Sequence, residues 1–329
     1  MDQKIGIAFC CERGELERIT MVMVKSLLQF GELSDQVKLF CFCPRPLFKP
    51  AVGTLNEFRS LGISVIDQPL NIRYSFYPLM NKVVVLKYLE ENTTLDRLIF
   101  LDSDLIILNK VLHKELIDHE VSLQSEFVEL ITASQSDDPY YPFWLRLYQL
   151  FGIQKFSFTN IFVSGKRVFA YWNSGLISYR RELHIASRWH ENLALCFSHY
   201  HWRKLEYYFL EQTTLAVTLQ QMKLQVHRLD PGFNYPICSH DEIHKENKVT
   251  QFDQLHIIHY LRFADKSIGN LKKIEQVNEK VKWTERMFKS YKLINEGFIR
   301  KISDFYYAFR QSNLQKIIYF YHRFSGKIK

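Results

Sequence analysis

The sequence predicts an α/β protein built on a mainly parallel sheet. Four short apolar runs in the first third of the chain have the length of β-strands, and helical patterns lie between them. The runs show almost no alternation with polar residues, which favours strands that are covered on both faces. Strands that alternate with helices are typical of parallel sheets. The chain has 329 residues, 47% of them hydrophobic, which is enough for one large core.

Each predicted helix has apolar residues at intervals of three and four, and each predicted strand is a run of β-branched, aromatic and aliphatic residues. The loop after the first strand, CCERGE, lacks the G-x-G-x-x-G pattern of dinucleotide folds and the P-loop pattern, so phosphate must be bound differently. In chain order the elements are a strand at 4–10 (KIGIAFC), a helix at 17–30 (ERITMVMVKSLLQF), strands at 37–43 (VKLFCFC) and 63–66 (ISVI), a helix at 81–91 (NKVVVLKYLEE) and a strand at 97–101 (RLIFL).

Two later regions differ from this pattern. Residues 120–170 are less regular, and DDPYYP at 137–142 marks a turn between aromatic stretches. We expect this region to be an insertion that shapes the acceptor side of the molecule. After residue 270 the pattern becomes long, helical and aromatic. The sequence therefore predicts a body over 1–270 and a helical tail over 271–329.

The positive charge is concentrated in the tail. The formal net charge is +8, and from residue 271 onward there are 14 Lys and Arg against five acids, which is +9 in the tail and −1 before it. The tail can be interpreted as helices that pack on the body. It can also be an amphipathic basic helix on an anionic membrane surface, which basic residues beside Phe and Tyr favour. Nucleic acid is not expected as a partner, because no reader motif accompanies the charge.

The cysteine pattern and the hydropathy predict a cytoplasmic protein. None of the six cysteines has the C-x-x-C spacing of a zinc or redox site, and reduced thiols are expected. Neither a secretion signal nor a run of about 18 apolar residues is visible. If the tail binds lipid, the protein is expected at the inner face of the membrane.

The sequence RLIFLDSDLIIL places two carboxylates, Asp102 and Asp104, where a buried strand ends. At a period of two residues both side chains face the same way and can reach one ion if the chain stays extended. Two carboxylates between apolar runs are costly to bury unless a cation compensates, and Mg²⁺ or Mn²⁺ does so while binding phosphate oxygens. A turn or a helix cap is the alternative interpretation of this pattern.

Four further blocks follow the D-x-D pair in a fixed order. Together with the D-x-D pair they resemble the retaining glycosyltransferases of family 8, the group that includes glycogenin and bacterial lipopolysaccharide galactosyltransferases. The resemblance covers residues 4 to 266 and implies the GT-A fold, a Rossmann-like α/β architecture, with a nucleotide-sugar-binding catalytic domain over 1–270. The blocks are YWNSGLISYRRE (171–182), LEQTTLAVTL (210–219), LDPGFNYPI (229–237) and IIHYLRFADK (257–266).

The resemblance implies a metal site formed by Asp102, Asp104 and His259. In the family the D-x-D aspartates bind Mn²⁺, and the histidine of a late H-x-x-G-x-x-K segment completes the protein ligands. His259 occupies that place. Neutral imidazole is a suitable ligand for Mn²⁺ and discriminates somewhat against Mg²⁺. A core histidine is the alternative, because Ile257 and Ile258 precede it.

The resemblance also implies a donor site. Asn173, Ser174 and Gly175 match the N-S-G block along the donor sugar, where an amide can pair with hydroxyls and a glycine lets the sugar approach the backbone. A turn at the entry to a strand is the alternative. Lys82 matches a basic residue that contacts the donor, and a solvated lysine in the first helical turn is its alternative. Phe9, Cys11 and Ser103 are expected beside the donor as well.

Family spacing would place glycine at 262 and lysine at 265, but this chain has Arg262, Asp265 and, one place late, Lys266. Either Arg262 or Lys266 is expected to bind the diphosphate, because both can stabilise a leaving group that gains negative charge.

Glu211 and Gln212 stand where the family shows Asp-Gln. The resemblance implies that the acid binds donor hydroxyls and that the glutamine lies beneath the anomeric carbon. A glutamine amide is a poor nucleophile, so front-face return and double displacement both stay open. We expect catalytic roles for Gln212, Glu211 and Asn173.

The predicted activity is therefore metal-dependent transfer of a hexose from a nucleotide-diphosphate sugar to a glycan or lipid-linked acceptor, with retention at the anomeric carbon. Uridine is the expected base, and Mn²⁺ or Mg²⁺ the expected cofactor. A sugar-phosphate nucleotidyltransferase is the first alternative, although CCERGE lacks its glycine-rich loop. The second is a catalytically silent relative that binds glycans or acts as a scaffold.

Overall fold

The computed structural model of the protein describes residues 3–199 and 203–293. The part of the predicted tail over 294–329 lies outside the described residues. The described strands are β1 (Ile5–Cys10), β2 (Val37–Phe42), β3 (Ser64–Ile66), β4 (Arg97–Leu101), β5 (Leu105–Ile107), β6 (Val121–Ser125), β7 (Phe158–Asn160), β8 (Arg167–Phe169), β9 (Trp172–Arg180), β10 (Val226–Arg228) and β11 (Ile257–His259).

Helices separate most of these strands. The described α-helices are α1 (Glu15–Phe30), α2 (Val52–Ser60), α3 (Met80–Asn92), α4 (Lys114–Ile117), α5 (Tyr141–Leu150), α6 (Ile185–His199), α7 (Lys204–Tyr208), α8 (Leu210–Gln221), α9 (Ala264–Ile274) and α10 (Glu279–Ser290).

Seven of the described strands form one sheet in the order β10-β6-β9-β4-β1-β2-β3. The pairs β1–β2, β1–β4, β2–β3 and β6–β10 are parallel. Strand β9 runs antiparallel to both of its neighbours, β4 and β6. Two small antiparallel sheets, β5–β11 and β7–β8, lie outside it. The sheet is therefore mainly parallel with one reversed strand inserted between β4 and β6.

The sheet is covered on both faces, which explains why its strands read as continuous apolar runs. Along β4, Leu98 and Phe100 belong to a core cluster that also contains side chains of α3, α6 and α8. The alternate residues Ile99 and Leu101 belong to a second cluster that contains side chains of α1. Because successive side chains of a strand face opposite ways, a strand buried on both sides has no polar alternation.

The predicted first third of the chain is confirmed. Its four strands correspond to β1 to β4 and its two helices to α1 and α3. The short helix α2 is an addition, since no helix was expected between the second and third strands. The prediction that 120–170 is an insertion is wrong for its first part, because β6 is an inner strand of the main sheet. The rest of that region forms α5 and the β7–β8 hairpin.

The division expected at residue 270 falls within α9. Helix α10 follows it and packs on the body, where Val281 and Phe288 are fully buried and the ring of Phe288 lies 4.9 Å from that of Tyr260. Residues 271–293 are therefore continuous with the core. None of the helices in the described part of the chain combines the length and the apolar character that crossing a bilayer requires.

Candidate metal and donor site

The reversed direction of β9 brings two distant sequence blocks to the same edge of the sheet. Strand β4 ends at this edge and β9 begins there, with Leu101 paired to Leu176. The backbone N–H of Asp102 donates to the carbonyl oxygen of Gly175 over 2.8 Å. The D-x-D pair and the N-S-G block are thus hydrogen-bonded neighbours, although more than 70 residues separate them.

The chain does not stay extended through the D-x-D pair. It turns at Ser103 and Asp104 before β5 begins, and the hydroxyl of Ser103 donates to the carbonyl oxygen of Cys10 over 3.1 Å. Strand β5 then pairs with β11, which places His259 opposite Leu105. A turn and a strand pair, rather than the period of an extended chain, bring the carboxylates and the imidazole together.

Asp102, Asp104 and His259 form a group whose ligand atoms all lie within 4.8 Å of one another. The Nε2 atom of His259 is 3.1 Å from Oδ1 of Asp104. Burial raises the pKa of Asp104, but the charges of His259 and Arg262 outweigh burial and lower this pKa to about 2. Burial lowers the pKa of His259, and Asp104 more than reverses this, so the pKa of His259 is raised. Two carboxylates and one imidazole are a suitable donor set for a divalent cation.

A second contact fixes the orientation of the His259 ring. Its Nδ1 atom lies 3.0 Å from the amide oxygen of Asn234, which can only accept, so Nδ1 carries a proton and Nε2 faces Asp104. Asn234 is fully buried with φ 58°, a left-handed conformation that asparagine tolerates. Sequence reasoning missed Asn234, although it lies within the LDPGFNYPI block.

Gly175 lies against the same ring. A Cβ atom at Gly175 would be 2.7 Å from Cε1 of His259 and 3.0 Å from Oδ1 of Asn173. The space that a side chain would need is therefore filled by His259. The missing side chain allows the imidazole to pack on β9 beside the D-x-D turn.

Lys82 lies in the first turn of α3 and is buried rather than solvated. Its Nζ atom is 3.1 and 3.2 Å from the carboxylate oxygens of Asp102 and 3.0 Å from the hydroxyl of Ser174. Burial lowers the pKa of Lys82, but Asp102 and Glu211 outweigh burial, and the net shift of this pKa is upward. A charged ammonium group is thus held between the D-x-D turn and the N-S-G block.

Glu211 and Gln212, in the first turn of α8, approach the same serine. The hydroxyl of Ser174 lies 3.2 Å from Oε2 of Glu211 and 3.4 Å from Oε1 of Gln212. The other carboxylate oxygen of Glu211, Oε1, is buried without a hydrogen bond and lies 4.0 Å from Nζ of Lys82. Burial raises the pKa of Glu211 to about 7; Lys82 opposes this rise and Asp102 adds to it.

The comparisons with known proteins agree with this architecture. A profile of the Rhodobacterales glycosyltransferase domain matches residues 7–223, about two thirds of the chain. The chain belongs to this glycosyltransferase family. The prediction of a glycosyltransferase is confirmed at this level, and the resemblance to family 8 stays a prediction. The matched span contains the D-x-D pair, the N-S-G block and α8, whereas His259 lies beyond it.

Two solved structures of glycosyltransferases are similar to the chain. The apo structure of the WbbM bifunctional glycosyltransferase has a TM-score of 0.51 and 13% identity, with 88% of this chain and 52% of that chain covered. This chain thus spans about half the length of that structure. The galactosyltransferase LgtC in complex with donor and acceptor sugar analogues has a TM-score of 0.46 and 14% identity, with 85% and 99% covered. The likeness to WbbM shows the fold, so the predicted GT-A architecture is confirmed. No curated protein matches the chain in sequence.

Two of the expected donor residues, Phe9 and Cys11, have side chains that are buried in the core. Phe9 is fully buried in the core, where its ring meets that of Phe58 edge to face at 5.8 Å. Cys11 is also fully buried, and its backbone N–H donates to the carbonyl oxygen of Phe42 over 2.9 Å. Neither side chain offers surface to a donor, because both face the cluster under α1.

Arg262 and Lys266 differ in their surroundings. Arg262 follows β11 in the left-handed conformation, with φ 63°, and its charge lowers the pKa of Asp104. Lys266 lies in the first turn of α9 and pairs with Glu242 over 3.3 Å on an exposed surface. The backbone at 262 therefore has a conformation that glycine favours. Family spacing places a glycine at this position.

Sequence reasoning also missed two buried polar groups beside the site. Glu126 follows β6 in the region expected to be irregular, and it accepts hydrogen bonds from Gln212 Nε2 and from Asn173 Nδ2, the latter over 3.4 Å. Glu12, in the CCERGE loop, forms a buried ion pair with Arg45 and accepts from Asn81, the neighbour of Lys82. No local pattern identifies such residues, because their partners are remote in the chain.

Proposed function

We propose that the chain transfers a hexose from a uridine-diphosphate sugar to a glycan or lipid-linked acceptor, with a divalent metal ion and with retention at the anomeric carbon. One observation carries the proposal: Asp102, Asp104 and His259 converge at the end of the sheet with the ammonium group of Lys82 beside them. A metal-ligand group next to a buried cation is suited to a ligand that carries several negative charges.

The donor set fits Mn²⁺ or Mg²⁺. Asp102 and Asp104 offer carboxylate oxygens, and Nε2 of His259 is directed at the pair because Nδ1 donates to Asn234. When bound, the ion supplies Lewis-acid stabilisation of the charge that develops on the departing diphosphate. Arg262 would meet the same diphosphate from the turn after β11, since its charge already acts on Asp104.

The donor sugar is proposed to lie beside Ser174, Glu211 and Gln212. Oε1 of Glu211 is a buried acceptor without a hydrogen bond, and a sugar hydroxyl would satisfy it. The amide oxygen of Gln212 lies on the same side, 3.4 Å from Ser174. That oxygen can stabilise positive charge at the anomeric carbon while the diphosphate leaves.

The tail is proposed to hold the enzyme at an anionic membrane surface, where a lipid-linked acceptor would be located. The support is its composition, since residues 294–329 carry seven Lys and Arg against two acids. Sedimentation with liposomes that contain anionic lipid, comparing the full chain with a chain that ends at residue 293, tests this. Equal pelleting of the two proteins would refute the membrane proposal.

Asp102→Asn tests the main proposal. The change keeps the side-chain shape but removes the charge that binds the ion, so we expect transfer and donor hydrolysis to fall at least about 100-fold. The assay follows release of UDP from a panel of UDP-hexoses with Mn²⁺, after a thermal-shift screen of UDP, GDP and ADP sugars. NMR of the product determines whether the anomeric configuration is retained.

The matched control is Asp241→Asn, an exposed aspartate paired with Lys273. It should leave the rate unchanged. Release of pyrophosphate instead of UDP would indicate a nucleotidyltransferase, and donor binding without turnover would indicate a silent relative. Unchanged transfer by Asp102→Asn would refute the metal role.

A further inference from the structure

Glu126 is a buried carboxylate that is surrounded by hydrogen-bond donors. Only 4% of its surface is exposed. Its Oε2 atom accepts from Nε2 of Gln212 and from Nδ2 of Asn173, and Oε1 accepts from the backbone N–H of Val128 over 3.4 Å. An ionised carboxylate is an acceptor only, and N–H groups are the partners that stabilise its charge.

The orientation of Asn173 is fixed independently of Glu126. Its Oδ1 atom accepts from the backbone N–H of Gly175 and from Nδ2 of Asn234, each over 2.9 Å. Since both of those partners are donors, the amide nitrogen of Asn173 must face Glu126. Asn173 therefore donates to Glu126, and the two side chains cannot exchange their donor and acceptor roles.

Gln212 is held in a different way. The carboxylate of Glu126 takes its amide nitrogen, so its carbonyl oxygen is directed to the opposite side, toward Ser174. The hydroxyl of Ser174 is also the partner of Lys82, which in turn contacts Asp102. The oxygen of Gln212 thus faces the side of the site that holds the metal group, and the contact with Glu126 determines this.

We propose that Glu126 is a positioning residue that orients the side chain of Gln212 and turns its carbonyl oxygen toward the donor sugar. The inference rests on the proposed function, because it adds a residue to the same donor site. A charge-assisted hydrogen bond is about twice as strong as a neutral one, and it also draws electron density onto the amide oxygen. That oxygen then stabilises developing positive charge more strongly than an unanchored amide does.

A double-mutant cycle between Glu126→Gln and Gln212→Ala tests the inference. Glu126→Gln keeps the shape but removes the charge, and we expect kcat for UDP-hexose turnover with Mn²⁺ to fall about 10-fold, with less than about a threefold change in KM. In the Gln212→Ala background the same change should cost nothing further, because the residue through which Glu126 acts is absent. Equal losses of kcat in both backgrounds, or no loss in the wild-type background, would overturn the proposal.

The matched control is Glu90→Gln. Glu90 is another buried carboxylate with several donors, Tyr179, Ala186 and Ser187, but it lies outside the site. We expect Glu90→Gln to lower the melting temperature in either background and to leave kcat unchanged. A fall of kcat in Glu90→Gln as large as in Glu126→Gln would show that loss of a buried charge alone explains the effect, and would overturn the proposal.

Thermal unfolding of the same variants gives a readout that does not depend on turnover. Glu126→Gln should lower the melting temperature of the wild-type chain, but should leave it unchanged or raise it in Gln212→Ala, where the buried anion has lost the side-chain donor of Gln212. If the wild-type chain turns over no UDP-hexose, the proposed function fails while this measurement still decides whether Glu126 holds Gln212. Equal decreases in the two backgrounds would overturn the inference.

Discussion

At the scale of single residues, the position of His259 depends on the lack of a Cβ atom at residue 175. The imidazole occupies the space in which a Cβ of residue 175 would lie, and Asn234 holds its Nδ1 atom. Loss of an outer contact that orients a metal ligand typically lowers metal affinity by about 10- to 100-fold. Gly175 is therefore expected to act on the metal through His259 rather than on the sugar.

Gly175→Ala should weaken Mn²⁺ binding by about 10-fold, because its Cβ would have to displace the His259 ring. Titration of free Mn²⁺ by electron paramagnetic resonance measures the affinity directly. Gly53→Ala in α2 is the control, since a Cβ there meets no atom within 4 Å. Equal Mn²⁺ affinity in both variants would show that His259 does not depend on this glycine.

Glu211 makes the stability of the domain depend on pH. Its folded-state pKa is raised to about 7 from a reference of 4.5, so the folded state retains a proton that the unfolded state has lost. The contribution of this proton to the unfolding free energy is fully present below pH 4.5 and disappears as the pH rises through about 7.

Glu211→Gln removes this titration. Relative to the variant, the wild-type chain should lose roughly 3 kcal/mol of unfolding free energy between about pH 4.5 and about pH 7. Urea unfolding of both proteins at a series of pH values gives the difference. A difference that does not change with pH would show that Glu211 titrates normally.

At the scale of elements, the site depends on one strand direction and one turn. Strand β9 enters the sheet reversed, so its first residues meet the end of β4. The turn after β11 has two successive residues in the left-handed region, Leu261 with φ 49° and Arg262 with φ 63°. Such backbone costs about 1 kcal/mol or more per residue, and strain of this kind is commonly found at functional sites. Just before this turn, the backbone N–H of Tyr260 donates to the carbonyl oxygen of Asp104 over 3.1 Å.

Arg262→Gly separates the backbone of this turn from its charge. Glycine adopts the same φ without strain, so we expect unfolding free energy to change by less than about 1 kcal/mol. Loss of the guanidinium group should raise KM for a UDP-hexose about 10-fold or more.

Lys266→Ala is the control for the charge, because Lys266 is paired with Glu242 at the surface. Its KM should stay within about twofold of the wild-type value. A larger rise of KM in Lys266→Ala than in Arg262→Gly would reverse the assignment of the diphosphate contact.

At the scale of the whole molecule, the sheet alone does not complete the body. A third core cluster includes side chains of α1, β5, β11, α9 and α10. Trp283 of α10 also meets Phe30 of α1, with ring centroids 5.1 Å apart. The Asp102–Asp104–His259 group lies between this cluster and the main sheet, since His259 belongs to β11, which pairs with β5. Helices α9 and α10, which follow the matched family span, therefore pack against the strand that carries His259.

A chain that ends at residue 270 should not fold, whereas a chain that ends at residue 293 should. The shorter chain loses the last four residues of α9 and all of α10, including the buried Val281 and Phe288, a loss of roughly 3 to 6 kcal/mol. That is a large share of the stability of an ordinary domain. Circular dichroism and thermal unfolding compare the two. Cooperative unfolding of the shorter chain would show that the body is complete at 270.

The sequence by itself determined the features that depend on residues close together in the chain. Continuous apolar runs identified β1 to β4, and the intervals of three and four identified α1 and α3, because burial on two faces or on one helical stripe leaves a local pattern. The D-x-D pair was recognised in the same way. The strand in the irregular region was not, since β6 contains the buried polar residues Ser122 and Gln124, and the amide of Gln124 donates to carbonyl oxygens more than 100 residues away.

Only the tertiary structure decided which side chains meet. His259 and Asp104 are 155 residues apart, and Glu126 and Gln212 are 86 apart. These contacts arise from the β5–β11 pairing, the reversed β9 and the first turn of α8, none of which has a local signature. A hydrogen bond between distant residues depends on the path of the whole chain, so the sequence identified the candidate side chains, and the fold specified how they are oriented.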